Sequence, residues 1–107
     1  MGGYRVVFAP ETNWDFAQLE DFIAGKAGVR IASRFVDALV EFCAGLSDTP
    51  HRGILREDIQ AGVRAIGFRR AVTVIFRVDD ATHTVVVAGV FYRGRDVAAE
   101  MSKRGSE

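Results

Sequence analysis

The sequence feature that most constrains the fold is the segment Thr84–Tyr92, which is apolar on both of its faces when it is read as a β-strand. In an extended chain, successive side chains point to opposite sides. The two apolar rows are Val85 and Val87 on one face, and Val86, Ala88 and Val90 on the other. Because a strand that is apolar on both sides is normally covered on both sides, this segment predicts a sheet with a layer on each face.

The cover of the second face is left open by the sequence. Two predicted helices earlier in the chain are enough for one face of a small sheet. The other face has two candidate covers: a second protein that docks on the sheet, or the loop after Gly53 together with a short terminal helix over Gly94–Met101.

Three further segments have strand character. Arg70–Val78 alternates, with one row of Val72, Val74, Phe76 and Val78 and another of Ala71, Thr73, Ile75 and Arg77. The turn-rich stretch Asp79–Thr82 joins this segment to the doubly apolar strand. Val63–Phe68 precedes it, and Tyr4–Phe8 is a short strand at the start of the chain. The order predicts an antiparallel meander that follows one isolated strand.

Two helices are predicted between the first strand and the meander. Residues Glu11–Gly25 place apolar side chains at helical spacing, namely Phe16, Leu19, Phe22 and Ile23. Residues Val29–Leu46 repeat the pattern more regularly, with Ala32, Phe35, Val36, Leu39, Phe42, Cys43 and Leu46. The prediction is an α+β fold in the order β-α-α-β-β-β, a helical hairpin packed on a small antiparallel sheet. Residues 1–107 form one domain, in which residues 102–107 are expected to fray.

Charge is distributed unevenly along a chain whose formal net charge is +0. Residues 1–50 carry four basic and seven acidic side chains, whereas residues 51–107 carry ten basic and seven acidic ones. Six arginines lie on or beside the predicted strands: Arg64, Arg69, Arg70, Arg77, Arg93 and Arg95. Such a group can hold phosphate or acidic side chains, or it can form a solvated rim paired with nearby aspartates.

The side chains needed for hydrolytic, metal or nucleotide chemistry are sparse. The chain has two histidines, His51 in a loop and His83 beside a turn, and one cysteine, Cys43, on an apolar helix face. A nucleophile–histidine–carboxylate site is therefore poorly supported, and Asp79-Asp80 with His83 is better explained as a solvated turn than as a metal site. We expect no cofactor and no metal. No secretory signal or membrane-spanning run is evident, so we expect a cytoplasmic protein.

The whole pattern resembles one family, the ParE toxins of the ParE/RelE superfamily of bacterial toxin–antitoxin systems. The closing segment Val90–Asp96 is similar to the family's closing Val-Leu-His-Gly-Arg-Arg-Asp, and Phe76-Arg77-Val78 is similar to its Tyr-Arg-Val strand. Further matching pieces are Tyr4–Pro10, Asp15-Phe16 with Leu19 and Phe22-Ile23, the stripe Ala32, Phe35, Leu39 and Leu46, the turn Pro50 to Gly53, and Val63-Arg64. The order and spacing of the pieces over most of the chain make the resemblance specific.

The resemblance implies a toxin of a type II system that a ParD-like antitoxin neutralises by direct binding. ParE toxins are described as poisons of DNA gyrase without hydrolytic chemistry, so an enzyme is not expected. RelE relatives cleave messenger RNA on the ribosome, using basic residues and a tyrosine or histidine near the C-terminus. Here no tyrosine or histidine follows Tyr92, so a ribosome-dependent RNase is the alternative. A family member without toxicity is a third hypothesis.

The resemblance and the residue pattern together suggest two sets of site residues. The antitoxin is expected to contact Trp14, Phe22, Val36, Arg64 and Arg77. The target is expected to contact Arg69, Arg70, Tyr92, Arg93 and Arg95. Trp14 lies off the apolar stripe of its helix, so it is either an exposed anchor or a side chain that packs against the sheet. Neither a membrane partner nor sequence-specific nucleic-acid binding by the chain alone is expected.

Overall fold

The structure is a computed structural model that describes residues 3–104. Its strands are β1 (Arg5–Phe8), β2 (Ile54–Leu55), β3 (Val63–Phe68), β4 (Val72–Asp79) and β5 (Thr84–Tyr92). Its helices are α1 (Glu11–Ala27), α2 (Val29–Ala44), a 3₁₀ turn (Gly45–Ser47) and α3 (Val97–Arg104). The predicted α+β class and the helical hairpin between the first strand and the meander are confirmed.

The sheet is mixed, with the strand order β1-β5-β4-β3-β2. The predicted antiparallel pairing is correct for β3, β4 and β5, and β2 also pairs antiparallel with β3. In contrast, β1 runs parallel to β5, because the two-helix connection carries the chain across one face before the meander begins. The sequence analysis missed β2, since its two residues, Ile54 and Leu55, are both exposed and too few to form a pattern.

The helical hairpin covers one face of the sheet. The apolar stripe of α2 places Leu39 and Cys43 in the core between helices and sheet, and α1 contributes Leu19. Gly28, with a φ of 98°, turns the chain between the two helices in a conformation that favours glycine. Against these helices, β4 and β5 present Val74, Phe76, Val85 and Val87.

The other face is covered by α3 and by the loop before β3. Ile75, Ala88 and Phe91 from the sheet pack there with Met101 of α3, and Ile59 of the loop lies against them. Of the two covers that the sequence left open, the structure thus shows the one supplied by the chain itself. The helix begins at Val97 and continues to Arg104, past the predicted end at Met101. Residues 102–104 of the tail that was expected to fray are helical, and residues 105–107 lie outside the described residues.

A β-bulge in β5 reverses one predicted side-chain direction. Ile75 pairs with Gly89 while the next residue of β4, Phe76, pairs with Val87, so Ala88 is the extra residue on β5. A bulge of this kind shifts the alternation of all later side chains by one. Val90 therefore lies in the core beneath the helices, and its predicted place on the face of Ala88 is wrong.

The tight packing at this bulge gives a first testable prediction. A Cβ atom added at Gly89 would lie 2.5 and 2.7 Å from two carbon atoms of the Phe91 ring, and Phe91 is fully buried. Because the ring has nowhere to move, we expect Gly89→Ala to lower the free energy of unfolding by about 1–3 kcal/mol. Gly67→Ala on β3 is the matched control, since its nearest neighbour would be 4.0 Å away. Equal urea midpoints for the two variants would contradict this account.

Candidate protein-binding groove

A groove of ≈ 530 Å³ lies between α1 and the end of β5. Residues of α1 form one wall, and the end of β5 together with the segment that follows it forms the other. The lining residues are Trp14, Asp15, Ala17, Gln18, Leu19, Asp21, Phe22, Val90, Tyr92, Arg93, Gly94 and Arg95. The groove therefore contains two of the residues expected to meet the antitoxin and three of those expected to meet the target.

Aromatic side chains form the apolar wall of the groove. Trp14 is 63% exposed and Phe22 is 44% exposed, although both are large apolar residues. The ring of Phe22 lies 4.8 Å from that of Tyr92, centroid to centroid, so helix and strand share one aromatic surface. Of the two readings of Trp14, the structure shows the exposed side chain.

Arginine side chains form the rim at the end of β5. The Arg93 amide donates to the carbonyl of Ala71 at 2.8 Å, which anchors this segment to the start of β4. The Arg93 guanidinium lies 6.0 Å from the Tyr92 ring centre. Arg95 pairs with Glu100 of α3 at 3.1 Å and donates to Gln18 of α1 at 3.4 Å. The rim is thus held in place by contacts to three different elements.

Arg69 and Arg70 lie at the same end of the sheet as this rim. They are the first two residues of the three-residue turn between β3 and β4, with φ values of 52° and 56°. Val72 pairs with Tyr92, which places the turn beside the end of β5. Arg69 also stacks over Phe68 at 4.9 Å. Among residues 3–104, no carboxylate forms an ion pair with Arg69, Arg70 or Arg93.

The remaining residues expected at the antitoxin interface do not join the groove. Val36 lies on α2 and is half-buried where that helix packs against the core. Arg64 and Arg77 lie at the far end of β3 and β4 and on opposite faces of the sheet. Arg64 donates to the carbonyls of two loop residues, and Arg77 donates to the side chain of Gln60. Both arginines already hold contacts within the chain.

A buried ion pair beneath the groove was not singled out by the sequence analysis. Arg104 of α3 donates to both carboxylate oxygens of Asp15 on α1, at 2.6 and 2.7 Å. The same carboxylate accepts the Val90 amide at 3.0 Å, and Arg104 also donates to the Ala88 carbonyl at 3.1 Å. Bonding to Asp15 raises the pKa of Arg104 above its usual range. The available signal in the sequence was an aspartate beside the apolar stripe of α1.

Both histidines lie at the opposite end of the sheet from the groove. The Tyr4 hydroxyl donates to Asp80 at 2.6 Å, and His51 Nε2 lies 2.9 Å from the same oxygen. The ring of His83 packs edge-on against Tyr4. The hydrogen bond from Tyr4, and then the nearby His51 and His83, hold the pKa of Asp80 below its usual value.

This cluster predicts a pH-dependent contribution to stability. A carboxyl group whose pKa is lowered by folding stabilises the protein above its unfolded pKa of about 3.9, and the contribution is lost as the pH falls through the folded value. Asp80→Asn should therefore unfold more easily than the parent chain at pH 7 and equally easily in strong acid. Tyr4→Phe, which removes the largest cause of the shift, should behave likewise. If urea titrations showed that the variants lose the same free energy of unfolding at every pH, this account would be refuted.

The described residues offer little else for catalysis. Burial raises the pKa of the Cys43 thiol to about 12, so it stays protonated at neutral pH. Within residues 3–104, no three histidine, cysteine, aspartate or glutamate side chains come close enough together to hold a metal ion. None of the helices in this part of the chain is long and apolar enough to cross a membrane.

Comparison with known protein families identifies the family to which the chain belongs. Residues 6–97 match the family described as the ParE toxin of the type II toxin–antitoxin system parDE. The chain belongs to the ParE toxin family. The ParE match begins in β1 and ends at the first residue of α3, so it spans the sheet, the helical hairpin and the whole groove. No curated protein sequence matches the chain significantly.

Solved structures agree with membership of the ParE family. A structure of the chromosomal ParDE system of P. aeruginosa matches with a TM-score of 0.72 at 18% identity, covering 86% of this chain and 98% of that one. The RelBE2 toxin–antitoxin complex of Mycobacterium tuberculosis matches at 30% identity with a TM-score of 0.65, covering 89% and 97%. The isolated RelE toxin of E. coli matches at 21% identity with a TM-score of 0.56, covering 95% and 98%. The chain is therefore a toxin-family protein of the ParE/RelE superfamily.

Proposed function

We propose that this chain is a toxin that arrests growth by binding DNA gyrase in the cytoplasm, and that a ParD-like antitoxin neutralises it by direct contact. The observation that carries the proposal is the groove, in which an exposed aromatic wall adjoins Arg93, an arginine that has no carboxylate partner among the described residues. Large aromatic and arginine side chains are the residues that most often anchor protein–protein interfaces. Membership of the ParE family supplies the expected partners.

The chemistry of the rim favours binding over catalysis. General acid–base catalysis needs a group that gains or loses a proton near the working pH. Arginine remains protonated there, and both histidines lie at the other end of the sheet. Asp15, the buried carboxylate of the groove, is already engaged by Arg104.

The second candidate function is a ribosome-dependent RNase of RelE type. It is favoured by Tyr92, which lies between the aromatic wall and the rim arginines, and by the 30% identity to a chain of the RelBE2 complex. Inducing the chain alone distinguishes the two. Arrest with double-strand breaks supports a gyrase poison, whereas arrest with intact DNA and cleaved transcripts supports the RNase.

The rim arginines give the sharpest test of the toxic surface. We expect the double variant Arg93→Ala and Arg95→Ala to relieve growth arrest while it still copurifies with the antitoxin, because single exposed charges at an interface contribute little affinity compared with aromatic anchors. The measurement is colony formation after induction, with pull-down of the protein encoded beside the toxin gene.

The matched control replaces Arg30 and Arg34, two exposed arginines of α2 outside the groove, and it should remain toxic. Unchanged arrest by the rim variant, at a normal level of folded protein, would remove this surface from the proposal.

A further inference from the structure

We propose that two copies of this chain associate through the outer face of α2, with the two helices antiparallel about a two-fold axis. This surface is separate from the groove, because no residue of α2 is among the groove-lining residues. The association does not depend on the proposed function, and both grooves of the dimer lie outside the contact.

Four charged side chains form a stripe along the exposed face of α2. They lie at spacings of four, three and four residues, which places them on one side of the helix. All are exposed, while Leu39 and the other core residues of α2 lie on the opposite side. The four residues are Arg30, Arg34, Asp37 and Glu41. The stripe is divided by sign, because both arginines precede both carboxylates.

This division by sign is unfavourable within a single chain. Residues four apart on a helix are neighbours, and both such pairs in the stripe are like-charged. The dipole of a helix favours anions near its N-terminus and cations near its C-terminus. In α2, by contrast, Arg30 is the second residue and Glu41 lies in the last turn. Within residues 3–104, no ion pair engages any of the four side chains. The single chain thus gains no stability from this order of charges.

An antiparallel second copy compensates these unfavourable features. When the two-fold axis crosses the midpoint of the stripe, Arg30 of one copy lies opposite Glu41 of the other. In the same register Arg34 lies opposite Asp37. The two arginines are about 6 Å apart along the helix, at 1.5 Å per residue, and so are the two carboxylates. All four intermolecular pairs therefore form in one register, and the two helix dipoles run in opposite directions.

Apolar side chains beside the stripe supply further contact area. At the N-terminal end of α2, Val29 is 74% exposed and Ile31 is 55% exposed. Along the C-terminal half runs a shallow depression lined by Asp37, Ala38, Val40, Glu41 and Ala44. Because the helices are antiparallel, the N-terminal half of one copy covers this depression on the other. Apolar area is then removed from water at both ends of the contact.

A second copy fits this surface better than a lipid or nucleic acid surface does. An interface with two-fold symmetry uses the same patch on both subunits, so the patch must be complementary to itself. The stripe meets this condition, because two positive charges are followed by two negative ones. An anionic membrane or a nucleic acid strand carries one sign of charge and would be repelled by Asp37 and Glu41.

The size of the contact predicts a concentration-dependent dimer. The contact is confined to one 16-residue helix on each chain, whereas stable interfaces bury about 1,200–2,000 Å² in total. We therefore expect monomer and dimer to exchange. Because its ion pairs are exposed to solvent, the dimer should weaken as the salt concentration rises.

Analytical ultracentrifugation of the full chain over a concentration series tests the association. Arg30→Ala with Arg34→Ala should weaken the dimer by about tenfold, since it removes four exposed ion pairs that each contribute roughly a factor of two. The matched control is Arg93→Ala with Arg95→Ala, which removes two arginines outside α2. This control should dimerise like the parent chain.

Two charge-reversed variants give a sharper test. Arg30→Glu with Arg34→Glu makes the stripe wholly acidic, and Asp37→Lys with Glu41→Lys makes it wholly basic. We expect each variant to be monomeric alone and an equimolar mixture of the two to form a heterodimer. All four positions are exposed, so both variants should fold, which circular dichroism checks.

Three results would overturn the inference. The first is a parent chain that stays monomeric at every concentration, together with reversed variants that do not associate when they are mixed. The second is a dimer that tolerates Arg30→Ala with Arg34→Ala, since the copies would then pair through another surface. The third is a monomeric parent chain whose binding to the antitoxin is weakened by that same variant, since the stripe would then belong to the antitoxin.

Discussion

Replacing Arg104 by alanine should destabilise the fold by about 3 kcal/mol, the lower end of the range measured when one partner is removed from a buried ion pair. The side chain of Asp15 is 3% exposed and that of Arg104 is 13% exposed, so water replaces the lost guanidinium poorly. The variant would leave a buried carboxylate with the Val90 amide as its remaining partner among the described hydrogen bonds. Urea denaturation at neutral pH measures the loss.

The position of this ion pair at a sheet edge explains why we expect it to contribute strongly to stability. β1 pairs with β5 as far as Val87, and no strand formed by residues 3–104 lies beside residues 88–92 on that side. Arg104 reaches the Ala88 carbonyl and Asp15 accepts the Val90 amide, so the two side chains occupy the place of a missing strand. They also join α1 on one face of the sheet to α3 on the other.

Two further variants separate this explanation from simple loss of a side chain. The double variant Asp15→Leu with Arg104→Met should recover much of the stability, because it removes both charges and fills the space with apolar atoms. Arg56→Ala, which breaks the exposed pair between Arg56 and Asp58, should unfold like the parent chain. If Arg104→Ala were as stable as Arg56→Ala, the ion pair would contribute nothing and the account would fail.

The central strands and both long helices were predictable because their patterns are long and regular. The bounds of β3 and β5 agree with the predicted ones, and α2 ends two residues before its predicted end at Leu46. In each case many apolar side chains repeat at one period, so the pattern outweighs any single residue. The prediction that both faces of the sheet are covered followed from the two apolar rows of β5 alone.

The features that were missed depend on three-dimensional context. The bulge at Ala88 leaves no mark in a run of small apolar residues, although it decides on which face Val90 lies. The partner of β1 and the direction of their pairing depend on how the helical hairpin packs. Arg104 of α3 bonds to a residue 89 positions earlier in the chain, a contact that local periodicity does not encode.

The candidate site was likewise predictable only in part. The sequence supplied the residue types, exposed aromatics and arginines, and it placed Tyr92, Arg93 and Arg95 on one segment. It treated Trp14 and Phe22 as a separate surface, because they precede Arg93 by 79 and 71 positions in the chain. Only packing of α1 on β5 brings the two groups into one groove.

The double variant Trp14→Ala and Phe22→Ala should still arrest growth but should escape the antitoxin. Each aromatic anchor at the centre of an interface contributes about 2 kcal/mol or more, which corresponds to roughly a thousandfold loss of affinity when both are removed. Both side chains are substantially exposed in the free toxin, so their loss should affect folding much less than binding. Isothermal titration with the purified antitoxin gives the affinity, and coexpression gives the rescue.

The matched control for this variant is Val29→Ala with Ile31→Ala, which removes two exposed apolar side chains from α2 outside the groove. This control should be toxic and should be rescued like the parent chain, because exposed apolar area alone does not define the antitoxin site. Rescue of the groove variant by the antitoxin would show that the anchors lie elsewhere. Loss of arrest in a folded groove variant would instead assign the aromatic wall to the target, and the division of roles between wall and rim would then be wrong.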